Sequence, residues 1–152
     1  MSEILTFMMG EYAAEFPTDR RYARNHMWAS EVEEGRYRFG FASYAVRLLQ
    51  DVYFLDWDIP AGTVLTDRQE IGQIESQKAE ASLYAPMPGK LTTFNETLMK
   101  DPSAINVDKY GEGWLFEIEG PGDELFDPDG YLEHLAAVWE VTQKTIKGQM
   151  NK

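Results

Sequence analysis

The spacing of apolar and polar positions changes along the chain and predicts strands through its middle. Within residues 36–41, aromatic residues alternate with small or charged ones, which is the period of a half-buried β-strand. Further short apolar runs bounded by turn residues predict strands at 52–57, 70–75, 81–84, 91–94 and 114–118. Many short strands separated by turns are typical of a mainly β domain, a β-sandwich or a flattened barrel.

Helical spacing appears in short pieces and then near the C-terminus. Ser43 is a candidate cap for a short helix that ends near Leu49, and residues 96–100 fit one helical turn. Asp127 followed by Pro128 is a good start for a longer helix. Its apolar residues recur at helical spacing at Leu132, Leu135, Ala136, Trp139 and Ile146. This helix is expected to pack against the sandwich.

These patterns divide the chain into three parts. Residues 1–23 form an N-terminal extension whose apolar residues suit either a short helix face or a docked strand. The polar stretch 18–21 is expected to separate them from the core. Residues 24–119 form the β domain, and residues 120–152 form the C-terminal helical segment that packs on it.

Composition excludes several classes of function. The 152 residues include 14 Lys and Arg against 26 Asp and Glu, a net charge of −12, which repels phosphate backbones and argues against nucleic-acid binding. Cysteine is absent, so the chain has no disulfide framework and no cysteine nucleophile. His26 and His134 lie far apart in sequence and are expected to be structural. No apolar run of membrane-spanning length and no basic leader is present, which predicts a cytoplasmic protein without a membrane partner.

One lysine stands at the centre of a predicted hairpin. Lys78 lies in a short polar stretch between two strand-like runs, and the second run ends in the turn Pro86–Gly89. A lysine in a turn is most often ordinary solvated surface. A lysine held out on a rigid hairpin is also well placed for modification by another enzyme.

Several motifs around this lysine resemble those of the glycine cleavage system H proteins, a family of lipoyl carriers. The resemblance extends from about Asn25 to Leu135 and is strongest in Glu75-Ser76-Gln77-Lys78-Ala79 and Gly111-Glu112-Gly113-Trp114. Other matching pieces are His26-Met27-Trp28, Gly40-Phe41, Tyr44-Ala45, Asp51-Val52-Tyr53-Phe54, Tyr84-Ala85-Pro86-Met87-Pro88-Gly89, Asn95-Glu96 and Tyr110.

The resemblance implies a fold, a cofactor and partners. The fold is a lipoyl/biotinyl-carrier-like β-sandwich of the hammerhead kind, with short helices and a C-terminal helix. Lipoate is attached as an amide to Lys78, and Glu75, Ser76 and Ala79 form the recognition motif around it. The partners are a lipoate-attaching enzyme, the glycine decarboxylase, the aminomethyltransferase and the dihydrolipoyl dehydrogenase. A biotin carrier has methionine on both sides of its lysine, whereas Lys78 has Gln77 and Ala79, which favours lipoate.

The chemistry of the lysine favours a carrier rather than an enzyme. A lysine with a pKa near 10.4 has only about one free amine in a few thousand molecules at pH 7, so another enzyme must acylate it. No His, Cys or activated serine constellation is visible in the sequence. The chain is therefore predicted to be a non-catalytic subunit of a multienzyme system.

Three departures from the family pattern leave the cargo open. Met27, Leu48 and Ser82 stand at positions aligned with polar or acidic family residues that shelter the loaded arm. Loss of a carboxylate removes the natural partner of an ammonium-like cargo. The alternatives are an H-like lipoate carrier for another pathway, such as lipoyl relay or sulfur-compound oxidation, and an unmodified interaction module.

Overall fold

The computed structural model describes residues 3–150, with side chains to residue 142. In that part of the chain there are eleven strands and four helices. The strands are β1 (Ile4–Met9), β2 (Tyr12–Pro17), β3 (Arg21–Tyr22), β4 (Met27–Glu33), β5 (Arg36–Phe41), β6 (Val52–Trp57), β7 (Val64–Leu65), β8 (Glu70–Ser76), β9 (Glu80–Tyr84), β10 (Gly89–Phe94) and β11 (Phe116–Glu119). The helices are α1 (Ser43–Leu49), α2 (Glu96–Lys100), α3 (Ala104–Val107) and α4 (Pro128–Met150).

Two antiparallel sheets form the body of the molecule. The larger has the strand order β3-β4-β5-β11-β10-β7, and the smaller has the order β6-β8-β9. The predicted mainly β fold with short helices and a C-terminal helix is confirmed. The described sheets remain separate and do not close into a barrel.

A first hydrophobic core contains residues from both sheets. Phe39 of β5 and Phe116 of β11 are fully buried with ring centroids 5.7 Å apart, and Trp57 of β6 meets Phe116 edge-on at 5.4 Å. Ile71 and Ile74 of β8 are buried in the same core. The strand that leads to Lys78 is therefore anchored by large apolar side chains, which makes the hairpin a rigid support.

Gly89 and Gly113 lie where a side chain would collide with neighbouring backbone. Gly89 has φ +149°, and a Cβ there would meet the carbonyl oxygen of Glu119. A Cβ at Gly113 would lie 2.6 Å from the carbonyl oxygen of Ala104. Both positions sit against neighbouring backbone that cannot move aside easily.

A second core joins the larger sheet to elements that lie outside both sheets. Strands β1 and β2 form a separate hairpin, so the N-terminal segment is a strand pair rather than a helix. Ala14 and Phe16 of that hairpin are buried with Tyr22 of β3 and with Tyr131 and Leu135 of α4. The N-terminal and C-terminal segments thus share one apolar cluster.

The linker expected at 18–21 is more firmly attached than its polarity suggests. Arg20 donates a hydrogen bond to the Tyr110 carbonyl at 3.0 Å, and Arg21 belongs to β3 in the larger sheet. The expectation that this stretch only separates the extension from the core is wrong for these two residues. Their guanidinium groups reach backbone carbonyls that lie far away in sequence.

The helices agree in position with the sequence patterns but differ in detail. Helix α1 is capped by Ala42, with no side-chain cap, so the expected capping role of Ser43 is wrong. Asp127 caps α4 as predicted, because its Oδ1 accepts the Gly130 N–H at 2.7 Å. Leu135 is buried as expected, whereas Ala136 is exposed. The predicted core residue Ile146 lies outside the described side chains.

Candidate functional site

Lys78 lies at the tip of the β8–β9 hairpin, as the sequence predicts. Its side chain is exposed, and within the described residues it forms no ion pair. The buried Ser76 closes the turn around it: the Ser76 N–H donates to the Ala79 carbonyl at 2.8 Å. The Ser76 hydroxyl also donates to that carbonyl at 3.1 Å and accepts the Ala79 N–H at 3.2 Å. The amine is therefore accessible on a well-defined loop.

The segment between α1 and β6 holds this loop from the side. The Gln77 N–H is shared between the carbonyl oxygens of Gln50 and Asp51, at 3.2 and 3.3 Å. The Lys78 N–H donates to the Leu49 carbonyl at 3.3 Å. No pattern in the sequence pointed to these contacts, since each is made by backbone carbonyls.

Acidic side chains cover the outer face of the hairpin below the lysine. Glu75 and Glu80 are direct partners across the β8–β9 ladder, and Phe54 of β6 is the other neighbour of Glu75. Partial burial raises the pKa of Glu75, and a hydrogen bond to Glu80 and the charge of Glu80 raise it further. The surface beside Lys78 therefore carries two acidic side chains.

The three positions that depart from the family pattern have different environments. Met27 is 1% exposed and belongs to the first core, so it does not line an open site, and that expectation is wrong. Leu48 is 38% exposed on α1, and Ser82 is half-buried on β9. Burial of Met27 removes one of the three reasons for doubting the usual cargo.

A cavity of about 580 Å³ opens at the other end of β9 from the lysine tip. Its lining combines the apolar surface of Tyr84 and Pro86 with the carboxylates of Asp67 and Glu124. Other lining residues are Arg24, Asn25, Arg68 and Ala85. The volume lies in the range of small-molecule sites, whereas most of the lining residues are charged or polar.

The two histidines meet in space although 108 positions separate them in sequence. Their ring centroids are 5.8 Å apart, and His26 Nδ1 lies 2.9 Å from the Tyr131 hydroxyl oxygen. Burial lowers the pKa of His26 to about 4, and the neighbouring His134 adds to the effect. Within the described residues, no group of three or more potential ligands could hold a metal ion. His26, directly before β4, and His134 of α4 both lie in the contact between these two elements.

Among the helices of the described residues, none has the length and apolar character that crossing a membrane requires.

A small antiparallel β-sandwich that presents one unpaired lysine on a hairpin tip defines a class, the lipoyl/biotinyl-carrier-like domains. The model of the family described as "Glycine cleavage H-protein" matches residues 20–139. The chain belongs to this glycine cleavage H-protein family. Residues 1–19, including the β1–β2 hairpin, lie outside the match.

Individual relatives agree with this assignment. The chain is 36% identical to the glycine cleavage system H protein of Mycolicibacterium gilvum (strain PYR-GCK) over 131 residues, which cover 81% of this chain and 98% of the relative. It is also 36% identical to the H protein of Shewanella sp. (strain ANA-3) over 123 residues, 78% of this chain and 94% of the relative. The crystal structure of a glycine cleavage system H protein from Mycobacterium marinum is similar, with a TM-score of 0.68 and 29% identity over 80% of this chain and 98% of the other.

Proposed function

We propose that this protein is the lipoyl carrier of a glycine cleavage system, with lipoate attached as an amide to Nζ of Lys78. The observation that carries the proposal is an exposed, unpaired lysine on a rigid hairpin tip in a chain of the glycine cleavage H-protein family. Glu75, Ser76 and Ala79 surround it in the order expected for a recognition motif.

The residues around Lys78 fit a covalent lipoyl group. Ser76 closes the turn, so the lysine side chain leaves the hairpin tip toward solvent. Ala79 contributes its backbone N–H and carbonyl to that turn, and Glu75 faces outward with Glu80. When attached, the lipoyl group supplies a disulfide that exchanges with thiols. The chain has no cysteine of its own to compete in that exchange.

The chain makes the lipoyl group accessible and directs it to its partners, and the partners carry out the chemical steps. Attachment to the hairpin raises the local concentration of the carried group near each partner toward the millimolar range. A net charge of −12 steers the carrier toward basic surfaces on those partners. The partners we propose are a lipoate-attaching enzyme, the glycine decarboxylase, the aminomethyltransferase and the dihydrolipoyl dehydrogenase. The carrier itself has no catalytic role in this scheme.

Mass spectrometry tests the attachment. Co-expression with a lipoate ligase is expected to add one lipoyl group to the intact protein, and Lys78→Arg is expected to abolish the addition while the protein stays folded. Lys100→Arg changes another exposed lysine and serves as the matched control, which is expected to keep full modification. A lipoyl group on any other lysine, or none at all, contradicts the proposal.

A reconstituted glycine–bicarbonate exchange assay tests the pathway. The lipoylated protein is expected to support exchange with a competent decarboxylase. Absence of exchange, while the dihydrolipoyl dehydrogenase still reduces the lipoyl group, would favour a carrier for another lipoate pathway.

A further inference from the structure

The side-chain amide of Asn106, on α3, holds the first residue of β6 by both of its backbone groups. Its Oδ1 accepts the Val52 N–H at 2.8 Å, and its Nδ2 donates to the Val52 carbonyl at 2.9 Å. Strand β6 lies at the edge of its sheet in the order β6-β8-β9. The amide therefore replaces the neighbouring strand that this edge lacks at Val52, which is 2% exposed.

The segment fixed by this contact, residues 50–52, also holds the lysine loop, the turn between β8 and β9 that carries Lys78. Val52 directly follows Gln50 and Asp51, whose carbonyls accept the Gln77 N–H. Gln50 has φ 50° and ψ 136°, and Asp51 has φ 38°, so two successive non-glycine residues lie in the left-handed region. Such conformations persist only where the surrounding structure holds them.

The strained pair is held from both ends. On the helix side, the Gln50 N–H donates to the Val46 carbonyl at 2.9 Å and ends α1. On the strand side, Asn106 binds Val52. Release of the strand side leaves Asp51 free to relax and withdraws the acceptors from the Gln77 amide.

We propose that Asn106 is a positioning residue for lipoyl attachment at Lys78, acting through Val52 and the Gln50–Asp51 carbonyls on the lysine loop. The inference rests on the proposed function, since it concerns acylation of that lysine. An attaching enzyme binds a loop that is already ordered at lower entropic cost than a loop it must order itself. Asn106 touches neither the lysine side chain nor the acyl donor and acts only on the shape of the loop.

The test is a pair of asparagine variants with different targets. Asn106→Ala removes both hydrogen bonds to Val52. Asn95→Ala is the matched control, because the buried Asn95 also binds backbone, donating to the carbonyls of Glu112 and Trp114, away from the lysine loop. Both variants are compared at a temperature where circular dichroism shows them folded.

Two measurements separate positioning from simple loss of stability. Native-state hydrogen exchange at the Gln77 amide is expected to be about tenfold faster in Asn106→Ala, the effect of losing one or two hydrogen bonds. In lipoylation of the unmodified protein, kcat/KM is expected to fall by a similar factor, mainly through a higher KM, because the loop must be ordered on binding. Asn95→Ala is expected to lower the midpoint of thermal unfolding and to change neither quantity.

The outcomes distinguish this inference from the proposed function. If the wild-type protein is not lipoylated at Lys78, the proposed function fails. If the wild-type protein is lipoylated and Asn106→Ala changes neither exchange nor KM, or Asn95→Ala changes both equally, the positioning role is overturned. Should Asn106→Ala not fold, Asn106→Asp keeps an acceptor for the Val52 N–H but lacks the donor to its carbonyl. It is expected to shift both measurements in the same direction, and unchanged values would again overturn the inference.

Discussion

At the residue scale, neighbours in the hairpin run contribute in different ways. Lys78 contributes an exposed amine, and Ser76 contributes a buried hydroxyl that closes the turn. Gln77 contributes its backbone N–H, which two carbonyls from another segment share. Residue identity alone is sufficient to pick out the lysine, whereas the contribution of each neighbour depends on burial and contacts.

Met27 gives the clearest residue-scale prediction. Its position aligns with a polar or acidic residue of the family, whereas its side chain is buried in the first core. Met27→Glu is expected to destabilise the fold by about 3 kcal/mol or more, since an unpaired carboxylate would enter an apolar core. Leu48→Glu is the control, because Leu48 is 38% exposed, and it is expected to change stability by less than about 0.5 kcal/mol. Urea denaturation measures both, and equal stability of the two variants would show that Met27 is not a core residue.

At the element scale, helix α4 is joined to the start of β4 by aromatic rings as well as by apolar packing. His26 has φ 71°, its ring centroid lies 4.4 Å from that of Tyr44 in a tilted arrangement, and its Nδ1 lies 2.9 Å from the Tyr131 hydroxyl. His134 of α4 is the second histidine in this contact, with its ring centroid 5.8 Å from that of His26. Burial keeps His26 neutral in the folded state, so protonation opposes the docking of the helix.

This contact predicts a loss of stability in mild acid. The His26 pKa is about 4 when folded and about 6.5 when unfolded, so the unfolded chain binds more protons in between. The free energy of unfolding is therefore expected to fall by ~1–2 kcal/mol from pH 7 to pH 5 through this group. His26→Asn tolerates positive φ and does not titrate. Urea denaturation at both pH values measures the difference, and an equal fall in wild type and variant would assign it to other groups.

At the scale of the whole molecule, the N-terminal hairpin and helix α4 pack together against the β3 end of the larger sheet. The Tyr22 N–H donates to the Phe126 carbonyl at 3.0 Å, and the Phe126 N–H donates back at 2.7 Å. Tyr22 and Tyr131 stack with centroids 4.7 Å apart. We propose that residues 24–119 are the lipoyl-binding domain, and that residues 1–23 and 120–152 are additions that stabilise it.

Removal of residues 1–17 tests this division. The deletion takes away the buried Met9, Ala14 and Phe16 and is expected to lower stability by about 3–5 kcal/mol. Lipoylation of Lys78 is expected to persist at a temperature where the truncated protein is folded, because the β8–β9 hairpin packs in the first core and not in the second. Met8→Ser, at a residue 52% exposed, is the control and is expected to be nearly neutral. A folded truncation that is no longer lipoylated would mean that the N-terminal hairpin takes part in recognition.

The sequence by itself determined the elements whose signals are local. Alternation and turn residues were enough for β5, β6, β8, β9 and β10, for the start of α4 at Asp127, and for Lys78 at a hairpin tip. Strand β4 and helix α3 were missed, because β4 changes from three buried residues to exposed ones and α3 has only four residues. Side-chain periodicity and turn chemistry act within a few residues, so they can be read directly from the chain.

Only the tertiary structure decided which distant residues meet. Asn106 reaches Val52 across 54 positions, and His26 reaches Tyr131 across 105. The burial of Met27 and the carbonyls that hold the lysine loop likewise depend on how the two sheets and α1 pack. Such contacts involve backbone groups that every residue carries, or side chains whose environment is set by partners far along the chain, and therefore leave no periodic pattern in the sequence.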